Sequence, residues 1–205
     1  MSTNVKIMYV NKSMNPDKPS VFIFTKNMVP TFDVLKEGVA WRVLHNVGKG
    51  SSSEFNFPII TTVQAKWGNY NKTQMLNAEI GKRYTVEEDN TGIVLVPKGN
   101  ALDKKAIEVN STVKVPGGIS ATLCKDGKVL VTKKIVAYDQ KATFVLHPKL
   151  YWGLASEIEE GQVISSAVLN TDQFFEQDIE GVNEATVVLK GDPETGYSFY
   201  VEKQS

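Results

Sequence analysis

The sequence predicts an all-β protein made of two tandem antiparallel β-sandwich repeats, with little helix. Apolar and polar residues alternate along most of the chain, and a period of two residues is typical of a strand with one buried and one exposed face. Turn-forming residues separate these runs, most clearly Asp126-Gly127, because a type I′ hairpin turn requires positive φ at both central residues. Several segments also recur along the chain, which indicates an internal duplication.

The recurrence consists of five pairs of similar segments. Residues 20–29 resemble 128–137, Thr31-Phe32 resembles Thr143-Phe144, Trp41 matches Trp152, 48–55 resembles 160–168, and 83–96 resembles 185–201. No single pair is specific, because strand–turn–strand sequences resemble one another by convergence. Their common order along the chain favours a tandem duplication over generic similarity.

The duplication predicts two domains that follow one another. We expect an N-terminal sandwich at residues 1–99 and a C-terminal sandwich at 105–205, joined by the polar segment 97–105. Trp41 and Trp152 are the predicted large core residues of the two sandwiches, one in each.

The composition argues against several classes of protein. The 23 Lys and Arg residues equal the 23 Asp and Glu residues, whereas a nucleic-acid-binding protein normally has a basic excess. No nucleic acid is therefore predicted as a partner.

The single cysteine, Cys124, cannot form an intramolecular disulfide, and the first ten residues lack the apolar run of a secretory signal. No apolar run is long enough for a transmembrane segment, so the sequence predicts a cytoplasmic protein.

The sequence contains few residues suited to catalysis or metal binding. His45 and His147 are the only histidines, and a zinc site needs three or four ligands at workable spacing. We therefore predict no catalytic residue, no metal and no cofactor. A cluster of carboxylates could in principle bind calcium, but it lacks the EF-hand pattern, so we predict solvated acidic loops. The residues are Asp172, Glu176, Asp178 and Glu180. An enzyme whose site combines His45, His147 and Glu157 stays open as an alternative.

The two halves of the sequence carry opposite charge. Residues 1–102 hold 12 basic and 8 acidic side chains, net +4, and residues 103–205 hold 11 and 15, net −4. Opposed charges favour head-to-tail contact between copies, and exposed sheet edges could extend that contact. We therefore expect a non-enzymatic protein that binds itself, as a homo-oligomer or filament. The predicted self-association residues are Lys82, Arg83, Glu157, Glu159, Glu160, Asp178 and Glu180. The alternative is that the two halves cancel each other's charge within one molecule.

A ligand-binding module is a further alternative. Aromatic residues beside Gly and Asn suit stacking on a sugar ring or contact with a lipid headgroup, as in a lectin-like or membrane-active protein. The candidate residues are Trp67, Tyr70, Tyr151 and Trp152.

Overall fold

The computed structural model describes residues 4–16, 19–164, 168–169 and 174–205, which form a nearly all-β fold. In the described residues there is one short helix, α1 (Val34–Glu37). The strands are β1 (Asn4–Asn11), β2 (Ser20–Phe24), β3 (Arg42–Leu44), β4 (Ser52–Pro58), β5 (Thr62–Trp67), β6 (Asn71–Lys72), β7 (Leu76–Asn77), β8 (Lys82–Asp89), β9 (Gly92–Asn100), β10 (Ile107–Ser111), β11 (Ile119–Lys125), β12 (Lys128–Val136), β13 (Gln140–Phe144), β14 (Lys149–Ala155), β15 (Val168–Leu169), β16 (Phe175–Asp178), β17 (Glu184–Asp192) and β18 (Gly196–Gln204). The all-β class predicted from alternation is confirmed.

The chain divides into two compact units. Unit 1 consists of Met1–Thr25, Gly38–Ile59 and Pro148–Ser205, and unit 2 consists of Lys26–Glu37 and Ile60–His147. Each unit therefore draws on both halves of the sequence, unlike the consecutive domains 1–99 and 105–205 that we expected. The expected linker 97–105 also differs, because its first four residues belong to β9.

Each unit contains two sheets. The sheets of unit 1 have the strand orders β18-β17-β1-β4 and β15-β14-β2-β3, with β16 also pairing with β14. Those of unit 2 have the orders β13-β10-β8-β9 and β12-β11-β5-β6, with β7 also pairing with β5. Among the described residues, all strand pairs are antiparallel, as predicted, except the central pairs β1–β17 and β8–β10, which are parallel.

The two units share one topology. Strands β1 to β4 of unit 1 occupy the places of β10 to β13 in unit 2, and β14, β17 and β18 occupy those of β5, β8 and β9. Such a correspondence is what a duplication with exchanged strands would produce, and the duplication itself stays a prediction. Of the five segment pairs, only 83–96 with 185–201 falls on equivalent strands. The first pair, for example, matches β2 to β12, although β12 corresponds to β3.

The core of unit 1 is aromatic and lies between its two sheets. Trp152 on β14 is fully buried, and its ring centroid lies 6.3 Å from that of Tyr9 on β1 and 5.9 Å from that of Phe199 on β18. Trp41 is also buried and lies 5.0 Å from Phe57, between ring centroids. Both tryptophans are core residues as predicted, but they belong to the same unit rather than to one sandwich each.

The core of unit 2 is mainly aliphatic. Its buried cluster joins both sheets and includes Val63 on β5, Leu123 on β11, Tyr84 on β8 and Phe144 on β13. Asn27 ties the 26–37 segment to β13, since its amide donates to Thr143 O at 2.9 Å and accepts from Val145 N at 2.9 Å. The segment that leaves β2 is thereby held in unit 2.

The parallel pairs match large residues with small ones. Tyr9 on β1 lies opposite Val187 on β17, and Val109 on β10 lies opposite Tyr84 on β8. All four side chains are buried. If β1 instead paired with β8, and β10 with β17, each sequence half would pair with itself. In the equivalent register, Tyr9 would then lie opposite Tyr84, and Val109 opposite Val187. One site would then be overpacked and the other underfilled, and both changes destabilise a core.

Gly153 on β14 provides a test of packing on the other face of this strand. A Cβ atom there would lie 2.4 Å from Phe22 Cζ, and Phe22 is buried against Phe24 and Phe174. We expect Gly153→Ala to lower the free energy of unfolding by about 1–3 kcal/mol, because the Phe22 ring must move. Urea denaturation measures this change. Gly48→Ala is the matched control, because a Cβ there meets open space, and it should change stability by less than about 0.5 kcal/mol.

Candidate functional site

The charge difference predicted between the halves reappears between the units. Unit 1 holds 8 Lys and Arg against 13 Asp and Glu, net −5, and unit 2 holds 15 against 10, net +5. The charges are thus segregated somewhat more strongly by unit than by sequence half. This segregation is the feature from which we build the candidate site.

One end of unit 2 combines exposed lysines with exposed aliphatic side chains. Ile80 and Leu102 are 65% and 79% exposed, and their chain segments are joined by the hydrogen bond from Ala101 N to Gly81 O, 2.8 Å. We call this surface the cationic end; it comprises Ile80, Lys82, Leu102, Lys104 and Lys105. Glu79 and Asp103 are exposed beside it, so the surface is mixed in charge with a net positive sign.

Only one of the two predicted basic residues is available on this surface. Lys82 is exposed, and its Nζ donates to Asn100 Oδ1 at 3.2 Å. Arg83 instead binds the buried carboxylate of Glu108, with its Nε donating at 2.9 Å. Lys141 donates to the other oxygen of Glu108 at 2.6 Å. Arg83 therefore serves an internal ion pair between β8 and β10 rather than an exposed contact.

The acidic residues of unit 1 also divide into paired and exposed groups. Glu160 Oε1 lies 3.6 Å from Arg42 Nη1, and Glu159 Oε2 lies 3.8 Å from His45 Nε2. Glu157, Asp178 and Glu180 are exposed. None of these three forms an ion pair within the part of the chain that the structure describes. They are the predicted acidic residues best placed to meet another molecule.

The four candidate ligand-binding aromatics differ in exposure. Trp67 and Tyr70 belong to unit 2, whereas Tyr151 and Trp152 belong to unit 1. Trp152 is fully buried, and its Nε1 donates to Gln177 Oε1 at 3.0 Å. It therefore stabilises the core and cannot stack on a ligand in this structure. Tyr70 is the opposite case: it lies in the β5–β6 turn and is 94% exposed.

Tyr151 is held inside unit 1 by its neighbours. Its ring lies 5.4 Å from that of Phe24, between centroids, and its hydroxyl donates to Glu176 Oε2 at 3.0 Å. Burial and the adjacent carboxylate raise the pKa of Tyr151 to about 12. Trp67 is partly buried against the core of unit 2. Of the four residues, only Tyr70 presents a free aromatic face.

The two histidines belong to different units. His45 is in unit 1 and His147 in unit 2. His45 Nδ1 lies 2.8 Å from Ser20 Oγ, so Ser20, His45 and Glu159 form a chain of polar contacts that the sequence did not reveal. The pairing of β2 with β3 brings Ser20 and His45 together, because Ser20 begins β2 and His45 follows β3. Neither the pocket around Tyr9 nor the pocket around Phe175 is lined by Ser20 or His45.

Across residues 4–16, 19–164 and 174–205, no group of three or more His, Cys, Asp and Glu side chains could hold a metal ion. Asp172, one of the acidic loop residues considered above, lies outside the described residues. No helix in the same part of the chain is long and apolar enough to cross a membrane.

Comparison with known proteins adds no functional information. No protein family, curated protein or solved structure matches the chain.

The Glu108 ion pair generates a prediction about stability and pH. Burial raises the pKa of Glu108, but hydrogen bonds from Lys141 and Arg83 outweigh it, so the pKa lies below its ordinary value of 4.5. The charged form therefore stabilises the fold above that value, and this contribution is lost as the pH falls through the lowered pKa. We expect Glu108→Gln to cost about 1–3 kcal/mol at pH 7, because Arg83 and Lys141 lose a charged acceptor.

Urea denaturation between about pH 3 and pH 7 checks this prediction. The difference between wild type and Glu108→Gln should shrink below about pH 4, as Glu108 becomes protonated in both folded and unfolded chains. Glu88→Gln is the control, because Glu88 is exposed on the same strand. An equal and pH-independent loss in both variants would contradict the assigned role.

Proposed function

We propose that the protein is a non-enzymatic, cytoplasmic binding protein that associates with copies of itself. The positive unit 2 of one copy contacts the negative unit 1 of another. The observation that carries the proposal is the charge segregation, net −5 in unit 1 and net +5 in unit 2. Complementary potentials accelerate association and orient the partners. Because the two contact surfaces differ, the assembly is head-to-tail, and it closes into a ring or continues as a filament.

The cationic end supplies a suitable positive surface. Its exposed Ile80 and Leu102 side chains provide apolar area that association removes from water. Lys82, Lys104 and Lys105 are exposed in the same two segments and favour an acidic partner. In unit 1, the exposed carboxylates of Glu157 and Glu180 provide the opposite charge. Specific interfaces usually combine apolar contact with polar and charged groups.

The sheet edges support the same proposal. β18 is an edge strand of unit 1 with nine residues and no proline, so its outer backbone groups can pair with a further strand. The equivalent edge strand of unit 2, β9, contains Pro97, which lacks a backbone donor. Strand addition is therefore favoured at β18 over β9. The cytoplasmic location is supported by the cysteine content, since the single cysteine, Cys124, is a buried free thiol.

The alternatives have less support. A glycan or lipid headgroup site made of Trp67, Tyr70, Tyr151 and Trp152 is not favoured, because Trp152 and Tyr151 are buried. An enzyme that uses His45, His147 and Glu157 has no support from the pocket around Tyr9 or from the pocket around Phe175, since neither is lined by these residues.

Salt dependence tests the proposal directly. By sedimentation velocity we expect oligomers at about 20 mM NaCl and their dissociation at about 500 mM NaCl, because salt screens contacts between exposed charges. A monomer at both concentrations would refute self-association by charge.

Charge reversal tests which surfaces are used. Lys82→Glu with Lys104→Glu changes unit 2 from +5 to +1, and Glu157→Lys with Glu180→Lys changes unit 1 from −5 to −1. Each double variant alone should associate about tenfold more weakly or worse. A mixture of the two should recover association, since every reversed surface then has an opposite partner. Glu79→Lys with Lys82→Glu is the control, because it keeps the charge of unit 2 and should retain most association. Failure of the mixture to recover would exclude these surfaces.

A further inference from the structure

Unit 1 contains a pocket that the proposed self-association does not use. Its volume is about 800 Å³, within the range of about 300–1,000 Å³ that is typical of small-molecule sites. Both sheets contribute to its floor: Tyr9 and Leu189 come from one sheet, and Val21 and Leu44 from the other. All four floor residues are buried core side chains. The pocket is therefore an opening into the end of the sandwich.

Hydrogen bonds hold the polar wall of the pocket in place. The amide of Asn11 donates to Val47 O at 2.7 Å, which joins the end of β1 to the loop between β3 and β4. Its Oδ1 accepts from Ser13 N at 2.8 Å and from Ser13 Oγ at 2.6 Å. Because Asn11 and Ser13 satisfy each other, the wall is preformed and needs no ligand to stabilise it.

The equivalent positions in unit 2 are apolar. The register shift after Thr186 on β17 corresponds to the one before Tyr84 on β8, so Val187 is equivalent to Tyr84. Their parallel partners, Tyr9 and Val109, are then equivalent at a spacing of 100 residues. The same step relates Ser13 to Val113 and Asn15 to Val115, and it relates Pro16 to Pro116. Val113 and Val115 pack into the core of unit 2, whereas Ser13 and Asn15 line the pocket of unit 1. One topology thus has a filled end in unit 2 and a polar-walled pocket in unit 1.

The pocket carries a single charged side chain among its described lining residues. Lys49 lies at the rim, and its Nζ is 3.0 Å from Met14 Sδ, a weak acceptor. No carboxylate among the described residues lines the pocket or forms an ion pair with Lys49. The described part of the rim is therefore complementary to a negative group, and the floor to an apolar one.

We propose that this pocket binds a small amphipathic anion, with its apolar body on Tyr9, Val21 and Leu44 and its negative group at Lys49. The site is independent of self-association, since it requires none of the residues of the cationic end. A medium-chain carboxylate such as octanoate has this chemistry, and octanol is the matched neutral molecule.

Titration calorimetry of the full chain with octanoate and octanol tests the site. Both should bind wild type at concentrations up to about 3 mM, which octanol also reaches in water, and octanoate should bind more tightly. Lys49→Glu should weaken octanoate binding about fivefold, because an attraction becomes a repulsion, and should change octanol binding less than about twofold. Equal effects on the two molecules, or no effect, would overturn the assignment of Lys49.

A second variant tests the pocket itself. Ser13→Val with Asn15→Val copies the residues of unit 2 and should abolish binding of both molecules, while the sedimentation behaviour of the protein stays unchanged. Backbone amide shifts of labelled wild type check the location without mutation, and octanoate should shift residues around 11–16 and 46–49. Shifts confined to other regions, or their absence, would refute the site. Loss of self-association with octanoate binding intact would refute only the proposed function.

Discussion

The fold depends on two parallel strand pairs, β1 with β17 and β10 with β8. Each pair lies at the centre of a sheet, and in both pairs an early part of one sequence half meets a late part of the other. In unit 1 the partners are more than 170 residues apart along the chain. Bringing together strands that are so far apart along the chain costs loop-closure entropy. The burial of side chains on the paired strands must offset this cost.

The side chains on these pairs select the partner. Tyr9 fits opposite Val187, and Val109 fits opposite Tyr84. Charge adds to size: the buried carboxylate of Glu108 binds Arg83 across the β8–β10 pair. The residue of β1 that corresponds to Glu108 is Met8, which lies opposite Thr186. A pairing of each half with itself would leave Glu108 without Arg83, and a buried carboxylate that loses a cation is strongly destabilising.

The two units combine one topology with different chemistry. Unit 1 is acidic, has an aromatic core around Trp152 and opens into a pocket beside Ser13. Unit 2 is basic, has a mainly aliphatic core and is filled at the corresponding place by Val113. The strand framework tolerates both sets because it requires only complementary sizes and satisfied polar groups between its sheets. Differences between the units therefore point to function, whereas their common features point to folding.

The sequence by itself determined what is local. Alternation predicted the strands, and Asp126-Gly127 predicted a hairpin in which both residues do have positive φ, 52° and 71°. The burial of Trp41 and Trp152, the likeness of 83–96 to 185–201 and the uneven charge could also be read from it. Only the tertiary structure decided which strands pair, that both tryptophans share one core, that Arg83 binds Glu108 and that Ser13 lines a pocket. Alternation shows which face of a strand is buried, but it does not indicate with which strand it pairs. The partner is determined by the fit of size and charge between residues that are distant in the sequence.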